Sequence, residues 1–362
     1  MDFRDSPDEA AFRGRLREWL SVHAKDFPTS GDEYWAKAAE WHRALYEGGF
    51  FGLSWPQEFG GQELAPLYDV ILDEELTRAG APARPSLGYL VTGLGRHGSK
   101  ELQQRFLPGM INGTERWCQG FSEPGAGSDL ASLTTTAVLD GDNYVINGHK
   151  IWTSYSDDAD WCLLLARTDP EAKRHRGISA FIISMHQDGI EQRPLKMISG
   201  VTKEFGQVAF DGAVVPADQM VGAPGEGWPL AMTVVGHERE PSTLGFAARY
   251  GKTVAELVKR VDGPVPEELA WAAVETEMLT RHVQRRLSEQ LDGISHGSDG
   301  SIDKLLMTWA EQSVGHAVLA VTGTGDDKLL EAYLYSRAQS VMGGTSQVQK
   351  NIIASRILGL GV

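Results

Sequence analysis

The hydrophobic period of this chain changes twice, and that narrows the folds open to it. From residue 1 to about 116, apolar residues recur at helical spacing. From 117 to 223 the pattern shifts to short β-branched and aromatic runs separated by turn residues. From 224 to 362 helical spacing returns. The order α, then β, then α predicts an α+β chain with an N-terminal helical domain (1–116), a compact middle β domain (117–223) and a C-terminal helical bundle (224–362).

Local signals support each zone. Ser6-Pro7-Asp8-Glu9 combines an N-cap serine, a first-turn proline and a glutamate three residues after the cap. Phe12, Leu16, Trp19 and Leu20 then form one apolar stripe, and further helices are expected near 32–48, 67–79 and 98–111. In the middle zone, Asp140-Gly141 and Asn147-Gly148 read as hairpin turns. In the third zone, Gly263-Pro264-Val265-Pro266 and residues 293–301 break long helical patterns. A dinucleotide-binding βαβ unit would need a G-x-G-x-x-G after a strand, and Gly125-x-Gly127 and Gly323-x-Gly325 lack the third glycine.

Charge and cysteine count exclude other classes. A net charge of −15 over 362 residues argues against nonspecific nucleic-acid binding. Two cysteines, Cys118 and Cys162, exclude a disulfide scaffold and a cysteine-rich metal site. The first residues are acidic where a signal peptide would be apolar, and no apolar run reaches the ~18 residues of a membrane span. A cytoplasmic protein with no membrane span and no metal is the expectation.

Three segments carry candidate chemistry. "GFSEPGAGSDL" (120–130) has glycines and Pro124 that let backbone approach a planar ligand, and Ser122 and Ser128 offer hydroxyls; a plain Gly-Pro loop is the competing reading. In "KIWTSY", Trp152 adjoins Thr153 and Ser154. A tryptophan on a strand is usually core, but one beside hydroxyls can also cover an aromatic ring while the hydroxyls bond its edge. "SVMGGTSQVQKNII" (340–353) is a glycine-led loop in which no side chain from Gly343 to Gln349 titrates near neutral pH.

Seven stretches in register resemble the acyl-CoA dehydrogenase family: "GFFGLSWPQEFGG", "ILDEELTRAGAP", "GFSEPGAGSDLASL", "NGHKIWTSYSDDADW", "KRHRGISAFII", "VVPADQMVGAPGEGW" and "GGTSQVQKNIIASRILGLG". The resemblance spans nearly the whole chain. It implies a β-barrel-like middle domain, a C-terminal four-helix bundle and FAD between them. By position, Phe121 and Ser122 would meet the flavin edge, and Ser128 would lie near the site and the start of the CoA channel. Trp152 would flank the ring, with Thr153 and Ser154 bonding toward its N5 and O4. Gly344, Thr345 and Gln347 would lie along the ribityl or diphosphate.

The implied reaction takes a proton from the thioester α-carbon and a hydride from the β-carbon, and electrons pass to an electron-transfer flavoprotein. Many relatives hold the base as a glutamate just before Gly-Thr, a position that is Gly343 here. Others hold it in an Glu-Arg pair of the first long C-terminal helix, which points to Glu238, with Arg239 beside the substrate and Glu240 in reserve. A solvated charge patch is the competing reading of this "HERE" stretch.

The pattern also departs from the family. Arg260 lacks the Phe-Gly that usually follows, "VTGTGDDKL" replaces a Gly-Gly-Tyr-Gly turn, and Gly206-Gln207 replaces an Asn-Glu pair. An altered composite FAD site is therefore expected, in a homo- or hetero-tetramer with a related chain. The alternatives are a noncatalytic, FAD-sharing partner subunit and an acyl-CoA oxidase. Gly343 and Gly344 leave room for a bulky or branched acyl group. Arg174, His175 and Arg176 read as a solvated loop rather than a site for CoA phosphates.

Overall fold

The capping box at Ser6 forms as its spacing predicts. Ser6 Oγ accepts the Glu9 N–H at 3.3 Å, and the Glu9 carboxylate accepts the Ser6 N–H at 2.7 Å. This starts helix α1 (Pro7–His23), which buries Phe12, Leu16 and Leu20. The computed structural model describes residues 5–237, 242–294 and 298–361. Helices α2 (Asp32–Glu47), α3 (Leu67–Ala79), α4 (Gly88–His97) and α5 (Lys100–Asn112) complete the N-terminal layer. The pattern did not predict α4. Its Gly93 and Gly95 dilute the helical signal, yet both are forced by packing: an added Cβ would lie 2.6 Å from Val234 and 2.5 Å from Phe59.

The middle domain is one eight-stranded sheet in the order β6-β7-β3-β2-β4-β5-β8, with β1 parallel to β4. Its strands are β1 (Trp117–Gly120), β2 (Thr136–Asp140), β3 (Asn143–Ser154), β4 (Trp161–Arg167), β5 (Ile178–Ser184), β6 (Ile190–Pro194), β7 (Phe205–Pro216) and β8 (Met220–Val221). β4 and β5 are apolar runs because both their faces are buried. Leu163, Leu165, Ala180 and Ile182 face the helices, while Leu164, Phe181 and Ile183 fill the sheet interior.

Asn147-Gly148 is not a hairpin turn. β3 continues through it, paired with β7 from Asn143↔Pro216 to Ser154↔Phe205. The Asn147 side chain accepts the Gly212 N–H across a register shift, so it serves the ladder. Gly148 is needed for close approach, since a Cβ there would sit 2.6 Å from Thr135 Cα. Asp140-Gly141 does join β2 to β3, as its sequence predicts.

Beyond the sheet lie α6 (Gly227–His237), α7 (Ser242–Arg260), α8 (Glu267–Leu291), α9 (Gly300–Thr322), α10 (Asp327–Ser336) and α11 (Ser346–Ile352). α6 packs back on α4, where His97 Nε2 lies 2.8 Å from Thr233 Oγ1. The core shared by α7, α8 and α9 includes Val254, Leu257, Leu269, Leu279, Met307 and Val314. Among the described residues, no helix is long and apolar enough to cross a membrane.

Candidate active site

One wall of the site is built around a buried ion pair that the sequence did not reveal. Lys150, 1% exposed, donates to the Phe121 carbonyl at 3.0 Å and to Glu123 Oε1 at 2.9 Å. Glu123 also accepts the Thr135 N–H at 2.8 Å and both the Thr134 N–H and hydroxyl at 2.7 Å. Burial pushes the Glu123 carboxyl up, but the Lys150 ammonium and these hydrogen bonds outweigh it and hold it at about 2. Complete burial brings Lys150 down to about 8 against the pull of Glu123, so both groups are charged at neutral pH. With Ile151 N–H bonded to the Ser122 carbonyl at 3.0 Å, the pair pins the 120–130 loop along β3.

The pinned loop presents its residues unequally. Phe121 is buried in the core at 4% exposure, and its carbonyl is taken by Lys150. Ser122 is half-buried and Ser128 is exposed. The one signal that could have found the ion pair is a lysine at a strand position whose neighbours in sequence alternate inward.

At the end of β3 the strand bulges. The pairing with β7 skips Trp152, which takes φ 61° and leaves 56% of its surface exposed. A positive φ at a bulky residue is costly and persists only where surrounding structure holds it. Here the Phe205 ring meets the indole edge-on at 6.1 Å. The bulge turns Thr153 inward to 1% exposure, and its Oγ1 is buried without a hydrogen-bond partner. The hydroxyls of Thr135, Ser156, Ser199 and Thr276 are buried in the same way, and that of Thr153 is set apart by the exposed indole beside it. Ser154 beside it is half-buried.

The remaining candidate segment is the 343–349 loop. Gly343 and Gly344 have φ 64° and 91°, a conformation that favours glycine. A Cβ built at Gly343 meets no atom within 4 Å, so the position opens on free space. Thr345 Oγ1 accepts the Val348 N–H at 3.2 Å and caps α11, and Gln347 is exposed. Gln349, absent from the sequence-predicted set, is fully buried and donates to the Gly343 and Gly344 carbonyls at 3.1 and 3.2 Å. That glutamine, rather than the threonine, holds the glycine turn in shape.

Glu238, Arg239 and the reserve Glu240 lie outside the described residues. The helix leading to them, α6, buries Leu230, Ala231 and Val234. Met232 on the same helix is 41% exposed. Of the departures, Arg260 pairs at 3.2 Å with Asp326, the residue that caps α10. Gly206 is required because a Cβ there would strike Ser156 Oγ at 2.1 Å.

This arrangement matches a known family along its length. Residues 6–114, 118–213 and 225–358 match the N-terminal, middle and C-terminal domain models of acyl-CoA dehydrogenase. The chain is 37% identical to acyl-CoA dehydrogenase IpdE1 of Mycobacterium tuberculosis, with 98% of each chain covered. It is 26% identical to the short-chain-specific acyl-CoA dehydrogenase of Clostridium acetobutylicum over 99% of this chain and all of that one. Among solved structures it resembles the ChsE4-ChsE5 complex from Mycobacterium tuberculosis, with 28% identity, full coverage of both chains and a TM-score of 0.85. It also resembles the Tcur3481-Tcur3483 steroid ACAD, with 28% identity, full coverage of both chains and a TM-score of 0.86. With three domain models matched in order and a relative 37% identical over 98% of each chain, the chain belongs to the acyl-CoA dehydrogenase family of oxidoreductases.

Proposed function

We propose that this protein carries out FAD-dependent α,β-dehydrogenation of an acyl-CoA thioester and passes the electrons to an electron-transfer flavoprotein. The observation that carries the cofactor assignment is the buried, unpartnered Thr153 hydroxyl at the bulged end of β3. A flavin ring edge offers the hydrogen-bonding atom that this hydroxyl lacks, and Trp152 stands exposed beside it to cover a ring face. A bound FAD would supply the acceptor for the hydride leaving the β-carbon. Ser122, Ser128 and Ser154 would line the same edge, and Gly344, Thr345 and Gln347 would follow the chain of the cofactor.

Glu238 would take the α-proton, with Arg239 beside the substrate. Closure of the site around the thioester excludes water and raises the carboxylate's affinity for that proton. The open space at Gly343, where no Cβ contact exists, fits an acyl group wider than a straight chain. Likeness to a steroid ACAD supports a ring-bearing acyl group.

A second reading concerns assembly. The outward face of α8 exposes Trp271, Val274 and Met278 at 57, 49 and 55%, one turn apart. Such a stripe suits a tetramer with copies of itself or with a related chain that shares the FAD site. Purified alone, the protein should be yellow, and Glu238→Gln should stay yellow while losing bleaching by acyl-CoA by roughly 10²-fold or more. Bleaching at the wild-type rate would remove Glu238 as the base. A colourless single chain that turns yellow only with a partner chain would favour the shared site.

A further inference from the structure

We propose that Tyr335 is a positioning residue that sets the separation between the bulged end of β3 and the 343–349 loop, the two walls of the site in the reading above. The proposal rests on the flavin reading above only for what the walls hold. Tyr335, near the C-terminal end of α10, donates its hydroxyl to Glu204 Oε1 at 2.6 Å. That bond crosses from the C-terminal bundle to the segment leading into β7.

Glu204 is directly coupled to the Trp152 end of β3. Its carbonyl accepts the Tyr155 N–H at 2.8 Å, one residue past Ser154. Its successor Phe205 pairs with Ser154 in register and meets the Trp152 indole edge-on. The N-terminal layer reaches the same point, because the Trp35 ring of α2 lies 5.7 Å from the Tyr155 ring. Burial pushes the Glu204 carboxyl up from its ordinary value, as expected of a group enclosed where three layers meet.

Tyr335 is equally coupled to the glycine loop. α10 runs straight into the turn Arg337–Ser340, whose Gln339 carbonyl accepts Lys304 Nζ at 2.5 Å and Thr308 Oγ1 at 3.3 Å. Gln312 Nε2 holds the Ser336 carbonyl at 3.2 Å. The turn is thus fixed to α9, and three residues later the chain reaches Gly343. A short hydrogen bond to a carboxylate therefore ties a rigid turn before one wall to the strand end that forms the other. At 2.6 Å this bond lies at the short end of the O–H···O range.

Hydrogen exchange on the cofactor-free protein, read by mass spectrometry, tests the clamp without relying on flavin. Tyr335→Phe should raise exchange about tenfold or more in peptides covering 152–156 and 203–206, and leave the β2–β3 hairpin unchanged. Glu204→Ala should do the same, and the double variant should be no worse than either single one. Glu204→Gln, which keeps an acceptor oxygen, should stay near wild type. FAD titration of each protein should show the same ranking, with Tyr335→Phe weakening binding by about tenfold. Unchanged exchange at 152–156 in Tyr335→Phe, or additive effects in the double variant, would overturn the clamp. If wild type itself fails to take up FAD while the exchange pattern holds, the flavin reading falls and the clamp stands.

Discussion

Two buried polar clusters in this chain are built in opposite ways. In the middle domain, Glu123 and Lys150 face each other within a shell of backbone and hydroxyl partners, and both Glu123 oxygens are taken. In the bundle, Tyr250 on α7 and Glu311 on α9 are both buried, and the Tyr250 hydroxyl is the largest offset to the burial of the Glu311 carboxyl; among the described residues no cation is bonded to that carboxyl as Lys150 is to Glu123. Burial pushes Glu311 up to about 7, with the Tyr250 hydroxyl and then Arg249, Arg337 and Lys304 pulling the other way. The first cluster fixes a shape the chain completes by itself. The second carries a standing penalty in a domain that also exposes the α8 stripe. The glycines follow the same division: Gly148 and Gly206 are hemmed in by backbone or side chain, and Gly343 opens on space.

The sharpest way to break this contrast is Lys150→Met. It leaves a buried carboxylate without its counter-charge and should cost about 3–5 kcal/mol in denaturant unfolding. A loss under about 1 kcal/mol would mean the pair is not what holds the loop.

Neutralising Glu311 should act in the reverse direction. Its folded value of about 7 lies above the ordinary 4.5, so the folded state gains nothing from it below pH 4.5 and is increasingly penalised as pH rises to 7. Glu311→Gln should match wild type near pH 4 and be more stable by about 1–2 kcal/mol at pH 8. Equal stability at both pH values would erase the difference between the clusters.

Glycine substitutions make smaller tests. Gly148→Ala forces a Cβ against Thr135 backbone and should cost about 1–3 kcal/mol. Gly343→Ala meets no atom and should cost only the left-handed backbone penalty, about 1 kcal/mol, seen as a shift of a few degrees in thermal unfolding. If Gly343→Ala proves the costlier of the two, the open space at Gly343 is not real in solution.

The sequence made some of this legible and hid the rest for definite reasons. The α-β-α order follows from hydrophobic period, which is set locally, and so does the Ser6 capping box. The resemblance pointed to Trp152, Thr153 and the glycine loop as candidates, because those motifs are contiguous. What stayed hidden depends on residues far apart in the chain. Glu123 and Lys150 are 27 residues apart and meet only because the 120–130 loop lies along β3. Asn147-Gly148 carries hairpin chemistry but is overruled by β7, which pairs on both sides of it. Gln349 looked like one more polar residue of a helix start, and its role appears only when the Gly343 and Gly344 carbonyls turn toward it.

The bulge at Trp152 also governs how this strand can change by insertion and deletion. A pleated strand alternates its faces, and an extra residue inverts the phase of that alternation. In β3 the even-numbered Tyr144, Ile146 and Lys150 point inward before the bulge, and the odd-numbered Thr153 does so after it. Losing one residue between Lys150 and Thr153 would leave them two apart, so a regular ladder would keep both pointing inward and remove the bulge that exposes the indole. Elsewhere in β3 the count of residues cannot change by one without reversing what the strand shows beyond the change, whereas at the bulge the loss of one residue keeps both faces in phase.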